Sequence, residues 1–153
     1  METGMEKKLQ QLIDREEIRD LVSRFSAYED RRMWDEAAEC FAEDGVFDET
    51  AVGGPCSYGR ERIRAFFKEE IDPAMTFMAH YATGHVISEQ TENEAKGFFN
   101  CFFEGGLHDG NVVKVHAYLD DTYVRVDGKW LFKSHKVVLY GPREFFRPSS
   151  EPV

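Results

Sequence analysis

The chain has little cysteine, glycine or proline, and each shortage excludes a class of protein. Its 153 residues include 3 Cys, 12 Gly and 5 Pro. The three cysteines, Cys40, Cys56 and Cys101, are too few and too scattered for a disulfide framework or a CxxC metal site, so we expect reduced thiols. Because the remaining composition is an ordinary mixture of apolar and charged residues, disordered and collagen-like proteins are also excluded.

Sequence features that would direct the chain to a membrane or to nucleic acid are missing. No stretch approaches the roughly 18 uncharged apolar residues of a membrane span, and no charged and then apolar leader opens the sequence. Basic residues are outnumbered, with 19 Lys and Arg against 29 Asp and Glu and a formal net charge of −10. A field of that sign repels phosphate backbones and anionic lipids. We therefore expect a cytoplasmic protein with no nucleic-acid partner and no membrane partner.

The sequence does have the length of one domain and many aromatic rings. A chain of about 150 residues is typical of a single compact domain, and it contains neither repeats nor linkers, so residues 1–153 are predicted to form one domain with its core at 6–140. The ends, Met1–Met5 and Pro148–Val153, carry little that could pack and are predicted to be flexible. The 13 Phe, 6 Tyr and 2 Trp either build an aromatic core or line a cavity for an apolar ligand.

The order of the predicted elements indicates an α+β fold. Apolar residues recur at three- and four-residue steps in three segments, predicted to be helices: Glu6–Glu29, Trp34–Phe41 and Arg60–Ile71. Four later segments are rich in β-branched and aromatic residues and are predicted to be strands: Met78–Glu89, Ala95–Glu104, Asn111–Val126 and Lys129–Tyr140. Asp127–Gly128 predicts a tight hairpin between the last two. We therefore expect the helices to pack on one face of a mainly antiparallel sheet.

Two long stretches, Ile13–Asp48 and Val115–Val138, carry a resemblance to a known family, with Tyr58–Phe67 and Ala79–Ile87 at matching places between them. On these segments the chain resembles the SnoaL-like branch of the nuclear-transport-factor-2-like superfamily. The resemblance implies a cone-shaped α+β barrel, in which N-terminal helices pack on a strongly curved, mainly antiparallel sheet that encloses a cavity. Within the branch, the chain is most similar to the group of scytalone dehydratase, bile-acid dehydratase and hexachlorocyclohexane dehydrochlorinase.

That group uses an Asp at the end of the first helix, four residues before a Trp-type position, and a His that heads an H-x-x-T/G stretch. Here Asp30 precedes Trp34 by four residues, and His80 heads the sequence HYATG. The resemblance therefore implies a catalytic Asp30–His80 dyad. A neutral imidazole in an apolar cavity can take a proton from carbon, and a carboxylate on its other nitrogen fixes the tautomer. Such a pair suits β-elimination or proton transfer in an enolisable substrate, and needs neither a metal nor an organic cofactor.

Plainer interpretations stay open for the same residues. Asp30 could instead cap the helix that begins at Trp34, and His80 could be a core histidine. His85 lies five residues from His80, a spacing that on a regular strand places the two rings on opposite faces. A zinc site built from Asp30, His80 and His116 lacks a typical ligand spacing, so no metal is predicted.

Further side chains are predicted to bind the substrate or to line the cavity. The substrate-binding candidates are Phe25, Trp34, Tyr58, His116, Tyr118 and His135. His135 stands where dehydrochlorinase-like relatives carry an Arg, and could place a positive charge or a hydrogen-bond donor next to a leaving group. The candidate cavity walls further include Phe47, Phe66, Phe67, Met78, Phe98, Phe102 and Phe132.

The helper residues of the group are replaced here. Phe25 stands where the relatives carry a Tyr or Lys, and Ala117 and Leu119 stand where scytalone dehydratase carries Ser and Asn. The predicted function is a cofactor-free lyase or isomerase, dehydratase-like, that acts on a small apolar cyclic substrate. The alternatives are a polyketide-cyclase-like isomerase, a non-catalytic small-molecule-binding or assembly domain, and a scaffold like a dioxygenase β-subunit. We expect a homodimer or homotrimer, because in this superfamily the open sheet face usually packs against a copy of itself.

Overall fold

Helices at the N-terminus pack on a curved sheet of seven strands in the computed structural model, which describes residues 3–149. The helices are α1 (Gly4–Asp30), α2 (Trp34–Glu39), α3 (Arg60–Phe66) and the single turn α4 (Asp72–Ala74). The strands are β1 (Phe41–Asp48), β2 (Cys56–Tyr58), β3 (Met75–Gln90), β4 (Glu94–Leu107), β5 (Val112–Val126), β6 (Lys129–Leu139) and β7 (Glu144–Phe146). The predicted α+β class is confirmed.

Helix α1 starts and ends where its sequence dictates. Thr3 and Glu6 form a capping box, in which each side chain accepts a hydrogen bond from the backbone N–H of the other residue. Ile18, Leu21 and Phe25 recur at the helical spacing and are buried against the sheet. The predicted flexible ends fall partly outside the described residues, at 1–2 and 150–153. No helix within residues 3–149 is long and apolar enough to cross a bilayer.

The sheet has the strand order β2-β1-β6-β5-β4-β3, and β7 pairs with the start of β5. All neighbouring strands are antiparallel except β1 and β6, which run parallel. Asp127 and Gly128 both have positive φ, as a tight hairpin requires, and Val126 pairs with Lys129 across them. Register shifts interrupt the pairing of β1 with β6, β3 with β4 and β5 with β6. Such bulges bend a strand and increase its twist, which helps the sheet to curve.

Several elements differ from the prediction. The third helix does not stop before Pro73: a π-helical turn over Phe67–Ile71 leads into α4, where proline occupies the first turn and needs no N–H partner. The second helix ends at Glu39, and strand β1 begins at Phe41, where the predicted helix still continued. Strands β2 and β7 have only three residues each and too little pattern to be found from sequence.

The two faces of the sheet carry different aromatic residues. On the inner face, Phe41 of β1 and Phe132 of β6 pack against each other and against Phe25 of α1, edge-on or tilted, with ring centroids 5.2–5.4 Å apart. This is a favourable geometry for aromatic pairs. On the outer face Tyr81 and Tyr140 are exposed. An exposed aromatic face fits the expected homodimer or homotrimer, which stays a prediction.

Candidate active site

The end of α1 lies against the middle of β3, and this contact brings Asp30 to His80. The Asp30 carboxylate lies 2.6 Å from Nδ1 of His80 and accepts hydrogen bonds of 3.0 and 3.1 Å from the backbone N–H of the same residue. Both side chains are largely shielded, with 26% of Asp30 and 18% of His80 exposed. A carboxylate held by the backbone and bonded to Nδ1 fixes the hydrogen of a neutral imidazole on Nδ1. The other ring nitrogen, Nε2, then carries no hydrogen and can act as a base.

The alternative role for Asp30, a helix cap, does not occur. Met33 is the N-cap of α2, and no side chain caps that helix. The chain turns at Arg32, which has a left-handed φ of 56°, and the Arg32 guanidinium bonds Asp72 at 2.7 Å. This turn separates Asp30 from α2 and leaves its carboxylate directed at β3.

His80 opens onto a cavity of about 320 Å³ between the helices and the inner face of the sheet. Most of the cavity wall is apolar, and this lining includes Phe25, Phe47, Phe66, Met75, Met78, Phe99, Phe103, Val113, Val115, Ala117, Leu119 and Val137. The polar groups that reach it are few: His80, His135, Ser26, Glu29, Glu49, Glu70, Cys101 and Arg143. An apolar pocket with a few polar groups is typical of a small-molecule site.

Of the six predicted substrate-binding residues, Phe25 and His135 line the cavity, and the other four do not. The indole N–H of Trp34 donates to Asp72 at 2.8 Å, so this side chain ties α2 to α4. Tyr58 is 71% exposed. His116 and Tyr118 lie on the outer sheet face, where they pack against Phe102 and Tyr140 respectively. These four assignments to the cavity are therefore corrected.

Strand register explains most of the corrections, because alternate residues of a strand face opposite sides of the sheet. On β4 the inward residues are Phe99, Cys101 and Phe103, so Phe98 and Phe102 face outward. On β5 the inward residues include Ala117 and Leu119, which places His116 and Tyr118 outside. Phe67 and Phe132 are buried in the core next to the cavity and do not line it.

His85 faces the same side of the sheet as His80, contrary to the prediction for a regular strand. The pairing of β3 with β4 shifts between Thr83 and Val86, around Gly84 with its positive φ of 65°. A bulge of this kind adds a residue and reverses which face the following side chains occupy. His85 consequently packs against the inward Phe99, with ring centroids 5.7 Å apart.

The proposed zinc ligands do not converge, because His116 lies on the outer face and His80 on the inner one. Among residues 3–149, no group of three or more His, Cys, Asp or Glu side chains is placed to hold a metal ion.

Three glutamates that were not predicted as site residues line the cavity: Glu29, Glu49 and Glu70. Oε2 of Glu29 lies 3.5 Å from Nε2 of His80. Burial raises the pKa of Glu29. Electrostatic interaction with His80 and His135 acts in the opposite direction and offsets part of this increase. Burial and the Glu29 charge raise the pKa of Glu49 from 4.5 to about 8. Glu29 directly precedes Asp30 in the last turn of α1, which is the only signal in the sequence that could have found it.

The basicity of His80 reflects two opposing effects. Burial by itself lowers the pKa of His80, because an imidazolium is costly in an apolar site. The negative charge of Glu29, the hydrogen bond to Asp30 and the charge of Glu49 outweigh burial, so that the net pKa of His80 is raised above 6.5. The site therefore makes His80 a stronger base than a free imidazole.

Glu49→Gln is expected to stabilise the protein at alkaline pH. Because the folded chain holds the Glu49 proton more tightly than the unfolded chain, the stability of the wild type falls as pH rises from 4.5 to about 8. Glutamine cannot ionise, so the variant should melt only slightly above the wild type near pH 5. The difference in melting temperature should be clearly larger near about pH 9. Thermal unfolding at both pH values measures this, with Glu92→Gln on an exposed turn as the matched control. An equal increase in melting temperature at both pH values would contradict the raised pKa of Glu49.

A second Asp–His pair lies in the wall of the same cavity. Nδ1 of His135 is 2.6 Å from Oδ1 of Asp121, and both side chains are buried. The two residues face each other across β5 and β6. Counting from the Asp127–Gly128 turn would pair Asp121 with Ser134, but the register shift between Thr122 and Tyr123 places it opposite His135. The sequence therefore gave no signal for Asp121.

The family of the chain follows from comparison with known proteins. The SnoaL-like domain family matches residues 10–136, and no functionally curated protein matches the chain significantly. Among solved structures, the hexachlorocyclohexane dehydrochlorinase LinA-type3 from Novosphingobium barchaimii LL02 is 21% identical with a TM-score of 0.81, covering 94% of this chain and 96% of its own.

Two further structures come from Novosphingobium aromaticivorans. A proposed scytalone dehydratase is 18% identical with a TM-score of 0.81, covering 95% of this chain and 99% of its own. A proposed aromatic ring hydroxylase is 24% identical with a TM-score of 0.83, and the alignment covers 88% of this chain and 94% of the hydroxylase chain. At these identities the likeness shows the fold alone. Because the family match spans well over half of the chain, the protein belongs to the SnoaL-like domain family, within the nuclear-transport-factor-2-like superfamily.

Proposed function

We propose that this protein is a cofactor-free lyase or isomerase that removes a proton from carbon in a small, uncharged cyclic substrate, with Asp30 and His80 as its catalytic residues. The observation that carries the proposal is the 2.6 Å contact between Asp30 and Nδ1 of His80, at the wall of an apolar cavity. The lyase and isomerase class is also supported by the family and by the dehydratase and dehydrochlorinase among the structural neighbours.

The proton transfer follows from the hydrogen-bond pattern. With its Nδ1–H held by Asp30, neutral His80 presents the lone pair of Nε2 to the cavity and takes a proton from a carbon beside a carbonyl. The imidazolium that forms is stabilised by the carboxylate of Asp30, which keeps its own charge. The proton then either returns to another carbon, which is isomerisation, or stays on His80 while a leaving group departs, which is elimination.

The cavity favours a neutral substrate. Its apolar walls exclude water from the imidazole, which strengthens every electrostatic interaction inside. Arg143 is the one Lys or Arg side chain of the lining. A carboxylate or phosphate substrate would have this single cationic partner in an otherwise apolar or acidic pocket, so that uncharged cyclic ketones and alcohols fit better.

Hydrogen exchange in heavy water tests this proposal without knowledge of the natural substrate. The protein would be incubated in D₂O with cyclohexanone, 1-indanone and 1-tetralone, and loss of the proton signals beside the carbonyl would be followed by NMR. We expect protein-dependent exchange for at least one ketone, and the same exchange rate for the His116→Gln variant, whose side chain is on the outer sheet face. If none of the ketones exchanges faster than in buffer, the proposed activity on this class is wrong, and a binding-only cavity is favoured.

A further inference from the structure

Glu49 is an acidic residue of the cavity wall to which the Asp30–His80 dyad gives no role. It directly follows β1, it is half-buried, and it lines the same cavity as His80. Within residues 3–149, no group donates a hydrogen bond to the Glu49 carboxyl. A carboxylate that is shielded from water and has no donor is unfavourable. The surroundings therefore favour the neutral carboxylic acid, which has a hydrogen to give.

The loop after β1 fixes the root of the Glu49 side chain. The backbone N–H of Glu49 donates to the carbonyl of Pro55, and its own carbonyl accepts from the N–H groups of Val52 and Gly54, each at 3.0 Å. A Cβ on Gly54 would lie 2.9 Å from Cβ of Glu49 and 3.1 Å from its Oε2, which is closer than such atoms normally pack. Glycine at position 54 thus leaves the space that the Glu49 side chain occupies.

The charges around Glu49 also keep its hydrogen in place. The other titratable groups of the cavity lining are Glu29, Glu70, His80, Cys101, His135 and Arg143. Burial and the negative charge of Glu29 raise the pKa of Glu49 from 4.5 to about 8, and the charge of His80 opposes them. The guanidinium of Arg143 lies over the Phe145 ring, 5.7 Å from its centroid, on an exposed segment. At neutral pH Glu49 therefore keeps its hydrogen.

Glu49 and His80 reach the cavity from distant parts of the sheet. His80 is on β3 and Glu49 follows β1, and β6, β5 and β4 lie between these two strands. Because the sheet curves, both residues line one cavity. The pKa of Glu49 responds to the charge of His80, which places the two groups within electrostatic reach of each other. One substrate inside the cavity can therefore contact both.

The proposed proton transfer needs a hydrogen donor that the dyad does not supply. Removing a proton from the carbon beside a carbonyl places negative charge on the carbonyl oxygen. In an apolar cavity this charge is costly unless the oxygen receives a hydrogen bond. The Nδ1–H of His80 is committed to Asp30, and Nε2 carries no hydrogen before the reaction. The donor must come from elsewhere in the cavity wall.

We propose that Glu49 is a third catalytic residue, a neutral carboxylic acid that donates a hydrogen bond to the carbonyl oxygen of the substrate while His80 takes the proton from the adjacent carbon. This inference rests on the proposed function and narrows the substrate class to cyclic carbonyl compounds. Chlorinated cycloalkanes can also lose a proton from carbon, but they have no oxygen that could accept the Glu49 hydrogen.

The step balances in atoms and electrons. The C–H bond beside the carbonyl breaks, and its proton forms a bond to Nε2 of His80. The C–H electron pair becomes a C=C bond, and the electron pair of the C=O double bond moves onto the oxygen. Glu49 keeps its proton and shares it with this oxygen through the hydrogen bond. In heavy water the imidazolium exchanges its hydrogen with solvent, and the reverse step places deuterium on the carbon.

Two substitutions at position 49 test the inference in the hydrogen-exchange reaction, with the ketone that the wild type exchanges fastest. Glu49→Gln keeps a hydrogen donor, because the amide has an NH₂ group, whereas Glu49→Met has a similar size and no donor. We expect Glu49→Gln to stay within about tenfold of the wild-type kcat/KM, and Glu49→Met to lose about 10²- to 10³-fold, the usual effect of removing one such donor. Glu92→Met, on an exposed turn, is the matched control.

The pH profile of the exchange gives a second readout. In the wild type the rate should fall again above about 8, where Glu49 loses its hydrogen, while in Glu49→Gln this alkaline fall should be absent. Circular dichroism at each pH shows that the protein is still folded. A purely structural role of Glu49 would change the melting temperature without removing the alkaline fall. This readout serves also if Glu49→Met does not fold.

The outcomes separate the inference from the function on which it rests. The inference is wrong, and the dyad proposal stands, if folded Glu49→Met exchanges at the wild-type rate or if Glu49→Gln keeps the alkaline fall. The same holds if Glu49→Gln loses as much activity as Glu49→Met, because a hydrogen-bond donor would then not be sufficient. If His80→Gln leaves the exchange unchanged, or if the wild type exchanges none of the ketones, the proposed function is wrong and the inference with it.

Discussion

His80→Gln is expected to lower kcat/KM for carbon deprotonation by about 10²- to 10⁴-fold, the usual contribution of a general base. Glutamine is close in size to histidine, and its amide can still reach the Asp30 carboxylate, but it has no nitrogen that accepts a proton near neutral pH. The backbone N–H of residue 80 still donates to both Asp30 oxygens, so the contact between α1 and β3 should persist. The variant should therefore fold with a melting temperature close to that of the wild type.

The measurement is the rate of deuterium incorporation into a cyclic ketone, compared with His116→Gln as a histidine of the outer face. In the wild type the rate should rise with pH and level off only above 6.5, because the pKa of His80 is raised and only the neutral ring can accept a proton. Retained exchange in a folded His80→Gln protein would show that another group is the base.

Asp30→Asn is expected to lower the same rate by about 10²- to 10⁴-fold, because in Ser-His-Asp enzymes the equivalent change costs about 10⁴-fold. The asparagine NH₂ replaces one carboxylate oxygen, so it must face either the backbone N–H of His80 or Nδ1 of its ring. Because the backbone hydrogen is fixed and the ring hydrogen can move, we expect the NH₂ to face Nδ1 as a donor, which moves the imidazole hydrogen to Nε2. His80 would present a hydrogen instead of a lone pair to the substrate.

This effect should appear mainly in kcat, because the apolar walls that bind the ring of the substrate are unchanged. Imidazole ¹⁵N NMR would report the change of tautomer directly. Asp20→Asn is the matched control, since Asp20 lies on the same helix but is exposed and paired with Arg24. A folded Asp30→Asn protein with wild-type kcat and an unchanged His80 tautomer would limit Asp30 to holding β3 in place.

The pattern of residues predicted the architecture well. Helical spacing located α1 within a few residues, and turn chemistry at Asp127–Gly128 located the hairpin of β5 and β6. These signals are local, because helix periodicity and positive-φ turns depend on neighbours in sequence. The position of Asp30 and His80 was predicted through the family resemblance, and the fold brings the two side chains into contact across 50 residues.

The sequence did not predict equally well which side chains of each strand lie on the inner face of the sheet. His116 and Tyr118 are on the outer face because β5 presents its small and aliphatic residues, such as Ala117, to the cavity. Both faces of the long strands carry aromatic residues, so hydrophobicity alone does not identify the inner face. Which set is inside is decided by packing against α1 and α3, a long-range contact that no local pattern records.

Residue patterns alone were enough to predict the order of helices and strands, the tight hairpin and the membership of a family with a conical α+β fold. Which histidines face the inner side of the sheet depends on the tertiary structure. His80 and His85 both face inward because the strand bulges at Gly84, and His135 meets Asp121 because the pairing of β5 and β6 slips by one residue. A bulge changes which face the side chains beyond it occupy, and it is a feature of the pairing between two strands, which the pattern of one strand does not record.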